Sequence, residues 1–129
     1  MRKPKLFFKP NNPIRQFNSF KFAFEGLFHA IMTEPNFRIQ LLIVALSVIM
    51  GKIFSITRGE WSDLINSLGL LLTVEIINTS IEEIMDQLIK HHDDGVKIIK
   101  DLSAAAVLIT SFVVLSNLSI IFLPKILNY

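Results

Sequence analysis

The chain has 129 residues, 51% of them hydrophobic and 19% charged, with a net charge of +2 and no cysteine; its mean hydropathy is +0.51 and its isoelectric point about 9.0. A single-domain length this apolar excludes intrinsic disorder, and zero cysteine excludes a disulfide scaffold and thiolate chemistry. The cationic excess is too small to argue for a nucleic-acid partner.

Residues 1–13 carry four cations and three prolines. Proline lacks the amide donor and restricts its predecessor, so the segment reads as an irregular basic tail. No short apolar stretch with a small-residue cleavage site follows, so it is not read as a signal peptide. Over 14–33, Phe17, Phe20, Phe24, Leu27, Phe28 and Ile31 recur at three- and four-residue steps, with Asn18, Lys21, Glu25 and His29 on the other face. That is an amphipathic helix. In a soluble protein it would face a core; beside long apolar segments it suits a helix lying at the membrane surface. Thr33-Glu34-Pro35-Asn36 breaks it, and Pro35 is favourable as the first residue of a new helix.

Three apolar segments follow, at about 37–56, 64–89 and 102–123. The third runs 22 residues without a charge and is closed by Pro124. A membrane span needs about 20 predominantly apolar residues. The competing reading, three buried helices of a soluble bundle, is weakened by the third segment, which has no polar face. The fold expected is all-α: a surface helix and three transmembrane helices, one domain over 14–129.

Lys and Arg set the orientation. Ten lie before the first span or between the second and third, against three in the other two flanks. The N-terminus is therefore expected in the cytoplasm and the C-terminus outside. Trp61, in a short outer loop, suits an interfacial aromatic belt.

The second span carries a polar stripe. Asn78, Glu82 and Asp86 follow Glu75 by three, seven and eleven residues, so at 100° per residue all four share one narrow helix face. An acidic residue at mid-span costs about 2.5 to 3.5 kcal/mol. Glu75 therefore needs a cation, a metal, water or a proton, unless the stripe only clamps helices together. The charge-derived topology brings Glu34, Glu82, Asp86, Lys100 and Asp101 to the same membrane face. Carboxylates without His or Cys favour hard cations such as Mg²⁺. Such a pair, a lysine and a deeper carboxylate suit phosphoryl transfer: metal on the phosphates, lysine against developing charge, and the deep carboxylate accepting a hydroxyl proton. The run His91-His92-Asp93-Asp94 reads as a solvated loop. No P-loop or protein-kinase motif is present.

At these residues the chain resembles the small prokaryotic diacylglycerol kinase family, which includes the undecaprenol kinases. The resemblance rests on Glu75-Ile-Ile-Asn-Thr-Ser-Ile-Glu82 with Asp86, and on Lys100-Asp101-Leu-Ser-Ala-Ala-Ala-Val-Leu108. Glu34-x-Asn-Phe-Arg38 and Gly59-Glu60-Trp61 match flanking patterns, and the likeness runs from about Phe17 to Pro124. Gln40 departs from a histidine common in undecaprenol-type members.

The resemblance implies a bacterial inner-membrane kinase that uses ATP and Mg²⁺ to phosphorylate a lipid alcohol, as a homotrimer with shared active sites. It implies that Glu75 is the catalytic base with Asn78 beside it, and that Glu34 and Glu82 bind metal. Lys100, Asp101, Asp86, Arg15 and Asp93 would contact nucleotide; Phe37 and Arg38, with Glu75, would contact lipid. Ala104, Ala105 and Ala106 would allow close helix approach. Undecaprenol is the expected acceptor and diacylglycerol the alternative. A reading from a different class is a non-catalytic membrane oligomer or ion pathway, in which Lys100-Asp101 has no clear purpose.

Overall fold

A computed structural model describes residues 13–128, and side chains from residue 17 onward. Residues 1–12 of the basic tail and Tyr129 lie outside the described residues, and Pro13, expected in the tail, is the first residue of α1. Four helices and no strands are found among those described: α1 (Pro13–Thr33), α2 (Pro35–Ile53), α3 (Arg58–Leu88) and α4 (Asp94–Leu127). α1 belongs to one compact unit, and the chain from Glu34 onward forms another.

α1 begins at Pro13, a residue whose fixed φ suits a first helical position. Its aromatic face is bare: Phe17, Phe20, Phe24 and Phe28 are all more than half exposed. Lys21 and Glu25 pair one turn apart at 3.8 Å, and Thr33 closes the helix by donating to the His29 carbonyl.

α2 opens as expected, with extended Glu34 before Pro35. It ends at Ile53, three residues short of the expected 56, because Ser55 takes a left-handed φ of 48° that a helix does not allow. The Ile56 amide then donates back to the Gly51 carbonyl at 3.1 Å, and the Ile56 side chain turns into the core. Gly51 is required here. A Cβ at that position would stand 2.7 Å from the Trp61 ring.

α3 starts six residues before the expected 64, on a capping box. The Thr57 hydroxyl accepts from the Glu60 amide, and the Glu60 carboxylate accepts from the Thr57 amide at 2.7 Å. Trp61 therefore lies on the first turn of α3 and not in a loop. Lys125 pairs with Glu60 at 2.9 Å, joining the two chain ends of α3 and α4 at this end of the bundle.

α4 starts at Asp94, eight residues before the expected 102, capped by Asp93. It also runs through Pro124 to Leu127, where the sequence suggested a stop. Proline removes one donor, but its fixed φ is itself helical, and only the final turn follows it.

α3 is the central helix; α2 and α4 both pack on it, α4 over most of its length. The burial pattern is inverted relative to a soluble bundle. Ile65, Leu70, Ile77, Ile109, Phe112 and Ile120 are exposed, whereas Gln40, Glu75, Asn78 and Thr79 are buried. A bilayer explains this, since lipid solvates apolar side chains and leaves polar ones to find partners inside. α2, α3 and α4 are each long and apolar enough to cross a membrane. At 1.5 Å per residue α3 and α4 measure roughly 45 and 50 Å, more than the ~30 Å of hydrocarbon, so their polar ends extend beyond it.

The inward stripe of α3 changes character along its length. Leu64, Leu68 and Leu71 meet Val114, Ile121 and Phe122 of α4 in an apolar core that also takes in Ile56. One turn on from Leu71, the same stripe becomes Glu75, Asn78 and Thr79. The apolar half fixes the helix register, and that register sets the partners of the polar half.

Candidate active site

Glu75 is 2% exposed. Oε2 of Glu75 accepts from Nε2 of Gln40 on α2 at 2.8 Å. Gln40 is 7% exposed, and its own Oε1 is buried without a hydrogen-bond partner among the described residues. A buried carboxylate with one neutral donor is far from compensated, which is the arrangement expected of a group kept for chemistry.

A groove of about 400 Å³ runs past these groups, lined by residues of α2, α3 and α4. Ile39, Ile43, Leu71, Val107, Val114 and Leu115 give it apolar walls; Asn36, Gln40, Glu75 and Ser111 give it a polar part. Apolar walls around a few placed polar groups are the usual form of a small-molecule site, and here the apolar portion suits a hydrocarbon tail.

One turn beyond Glu75, Asn78 bridges two helices. Its Nδ2 donates to Oε1 of Glu82 at 3.1 Å. Its Oδ1 accepts from the Ser103 hydroxyl of α4 at 2.6 Å. Further along, Lys100 donates to both carboxylate oxygens of Asp86, at 2.9 and 3.1 Å. Lys100 precedes the apolar stretch 102–123. Its hydrogen bond to Asp86 raises its pKa above the ordinary lysine range, desolvation opposes this, and the charges of Asp86 and Glu82 add to the rise. Asp101 pairs with Lys97 one turn back at 2.6 Å.

Five of the eleven expected residues thus follow one another along α3 and α4: Glu75, then Asn78 bonded to Glu82, then Asp86 bonded to Lys100. The remaining residues divide. Glu34 caps α2 through its backbone, and its carboxylate makes no cap bond. Asp93 is occupied as the N-cap of α4, accepting from the amides of Gly95 and Val96 at 2.7 and 3.2 Å. Phe37 is buried and Arg38 exposed, and neither lines the groove. The Arg15 side chain lies outside the described residues. Among the described residues no three acidic or histidine groups converge as a metal cage. Mg²⁺ needs no such cage, since it commonly takes one or two carboxylates and completes its shell with phosphate and water. Glu34 and Glu82 are carboxylates, the ligand type that donor set uses.

Two residues carry no site role in the sequence reading and gain a contact in the structure. Gln40 and Ser103 were each polar positions in or beside an apolar segment, and a polar side chain in a span needs a partner. That was the available signal. The identity of the partner was not in it.

Residues 21–122 match the model of the family described as prokaryotic diacylglycerol kinase. The undecaprenol kinase of Bacillus subtilis (strain 168) is 32% identical over 114 residues, 87% of this chain and 91% of that protein. The diacylglycerol kinase of Escherichia coli (strain K12) is 30% identical over 92 residues, 71% of this chain and 75% of that protein.

Proposed function

The chain belongs to the prokaryotic diacylglycerol kinase family and is a multi-pass membrane lipid kinase with ATP as phosphoryl donor; on that premise we propose that it phosphorylates undecaprenol at a site centred on Glu75. The observation that carries the assignment of the site is the burial of Glu75 in the wall of an apolar groove, held by Gln40. A lipid hydroxyl entering with its tail along that wall meets a carboxylate in place to take its proton. The hydroxyl oxygen then attacks the γ-phosphorus of ATP, the bond to the bridging oxygen breaks, and ADP leaves. Glu75 holds the proton, as a general base does. Lys100 neutralises the transferring phosphoryl group once the phosphates compete it away from Asp86. Asn78 holds Glu82, and Asp101 contacts nucleotide.

Glu34 and Glu82 are the proposed holders of Mg²⁺. The bound ion would offset charge on the phosphates and help align them. Arg15 and Asp86 are assigned to the nucleotide, and Phe37 and Arg38 to the lipid headgroup. Asp93 is assigned to the nucleotide through a loop whose cap it already forms. Undecaprenol is preferred because the relative named for it matches 87% of the chain. Diacylglycerol is the second candidate, after the other named relative.

The functional unit proposed is one domain over residues 14–129, since the family match spans 21–122. α1 lies at the membrane surface with its aromatic face in the lipid, a placement supported by that face's exposure. The N-terminus is cytoplasmic by its excess of Lys and Arg. A homotrimer with shared sites is supported by family membership and by Ala104, Ala105 and Ala106, which are exposed in the single chain and leave room for a neighbouring helix.

The test is phosphoryl transfer from labelled ATP by purified protein in mixed micelles, offered undecaprenol and diacylglycerol separately, with Glu75→Gln as control. Transfer to undecaprenol, lost in the variant, is the expected result. Transfer to diacylglycerol alone reassigns the lipid, and full activity in the variant removes Glu75 from the chemistry.

A further inference from the structure

The structure contains a polar contact, Ser103 with Asn78, that the assignment of catalytic groups does not use. Ser103 stands on α4, facing the amide of Asn78 on α3. Asn78 is 8% exposed, so its amide orientation is set by protein partners rather than by water. An asparagine amide has two similar orientations, and the pattern of donors and acceptors around it decides between them. Glu82 offers a carboxylate oxygen 3.1 Å from one end, which only the NH₂ group can satisfy. Ser103 offers a hydroxyl 2.6 Å from the other end, which can donate to the carbonyl oxygen. The Glu82 contact sets the orientation, and the Ser103 hydroxyl, able to donate or accept, fastens the amide in it by donating to the oxygen.

The Ser103 hydroxyl has one proton and two acceptors in reach, Asn78 Oδ1 and the Lys100 carbonyl at 2.9 Å. The Lys100 carbonyl belongs to α4 and has the ordinary helical acceptor role, whereas the Asn78 oxygen is buried and has Ser103 as its donor. Leaving the buried amide oxygen without a donor is the costlier arrangement. The proton therefore goes to Asn78. Ser103 also sits one turn from Lys100, so it connects the Glu82 carboxylate to the part of α4 that presents the lysine.

We propose that Ser103 is a positioning residue for the metal-holding carboxylate: its hydroxyl locks the Asn78 amide, and the locked amide holds Glu82 in the orientation that receives the cation. This rests on the assignment of Glu82 as a holder of Mg²⁺. The relevant precedent is general. Groups that hydrogen-bond to a metal ligand orient it, and losing one commonly weakens metal binding or activity by about 10- to 100-fold. Ser103 acts through two intervening bonds, so the lower end of that range is expected.

The experiment measures metal binding without turnover. Mn²⁺ is titrated by electron paramagnetic resonance into full-length protein in detergent, with a non-hydrolysable ATP analogue present. The variants are Ser103→Ala, Ser103→Thr and Glu82→Gln, each shown to be folded by thermal melting and to elute as the native oligomer. Ser103→Ala is expected to weaken Mn²⁺ binding about tenfold and to raise the half-saturating Mg²⁺ for turnover by the same factor, with KM for the lipid unchanged. Ser103→Thr keeps a hydroxyl and is expected to restore both. A role in helix packing alone would shift the melting temperature and leave the metal titration where it was. Unchanged Mn²⁺ binding in Ser103→Ala, with binding weakened in Glu82→Gln, overturns the Ser103 proposal and leaves the metal assignment standing. Unchanged binding in Glu82→Gln overturns the metal assignment, and the Ser103 proposal with it.

Discussion

Gln40 donates to Glu75 across 2.8 Å, and both side chains are more than nine-tenths buried. The bond links α2 to the central helix where the inward stripe of α3 turns from leucine to carboxylate. It also leaves the other end of the Gln40 amide without a described partner. Two buried polar groups are therefore held by one bond between them. The bond fixes where the Glu75 carboxylate points, and removing either partner leaves the other buried without it.

Replacing Gln40 with leucine keeps the volume roughly constant and removes the donor. Glu75 is then left with its carboxylate buried and unsupported, which costs about 1 to 3 kcal/mol. The expected outcome is a lower melting temperature in detergent together with a reduced kcat. An unchanged kcat would mean that Gln40 has no part in holding the proposed base, Glu75.

Glu75→Gln removes a buried carboxylate and keeps an amide able to meet Gln40. Stability should hold or rise, because an amide is easier to bury than an ionised group. Turnover should fall by about 10²- to 10⁴-fold, the range attributed to general-base catalysis. Thermal melting and single-turnover phosphorylation, measured on the same preparation, separate the two effects.

Asp86 pairs with Lys100 at 2.9 Å, and Lys100 is the proposed partner of the phosphates. Because the folded lysine pKa is raised, its charge is present at every pH below the ordinary lysine range and is lost only as pH climbs through the raised value. Lys100 should therefore put no inflection in the rate between about pH 6 and 9. Asp86→Asn should leave the shape of that profile unchanged, whereas Lys100→Met should raise KM for ATP or abolish transfer. A new inflection in Asp86→Asn would show that the pair governs titration in the working range.

Gly51→Ala tests the packing at the opposite end of the bundle. The added Cβ would meet Trp61 at 2.7 and 2.9 Å and Ile56 at 3.1 Å, so the ring or the turn must move. Overpacking of this kind costs about 1 to 3 kcal/mol. Trp61 is the sole tryptophan, so its emission reports the shift directly. A native emission maximum and melting temperature would show that the turn yields without strain.

Much of this was legible along the chain. Residue spacing alone placed Glu75, Asn78, Glu82 and Asp86 on one face of one helix, because the α-helical period fixes the angular position of each residue. The length of the apolar segments established three spans, because a bilayer solvates backbone polar groups so poorly that only a long helix crosses. Helix ends were read less well. The capping box at Thr57, the Asp93 cap and the passage through Pro124 each depended on local hydrogen bonding at the ends of the apolar stretches, where hydropathy has no resolution.

What the sequence by itself determined was therefore the face each polar residue occupies on its own helix. Only the tertiary structure decided which groups meet: Gln40 with Glu75, Ser103 with Asn78, Lys100 with Asp86. Those pairings depend on how far each helix slides and turns against the next. That register is set between α3 and α4 by the packing of Leu64, Leu68 and Leu71 against Val114 and Ile121, and for α2 by Ile43, Val44 and Met50 against the same core, a property of side-chain shapes on several helices at once that no single segment carries.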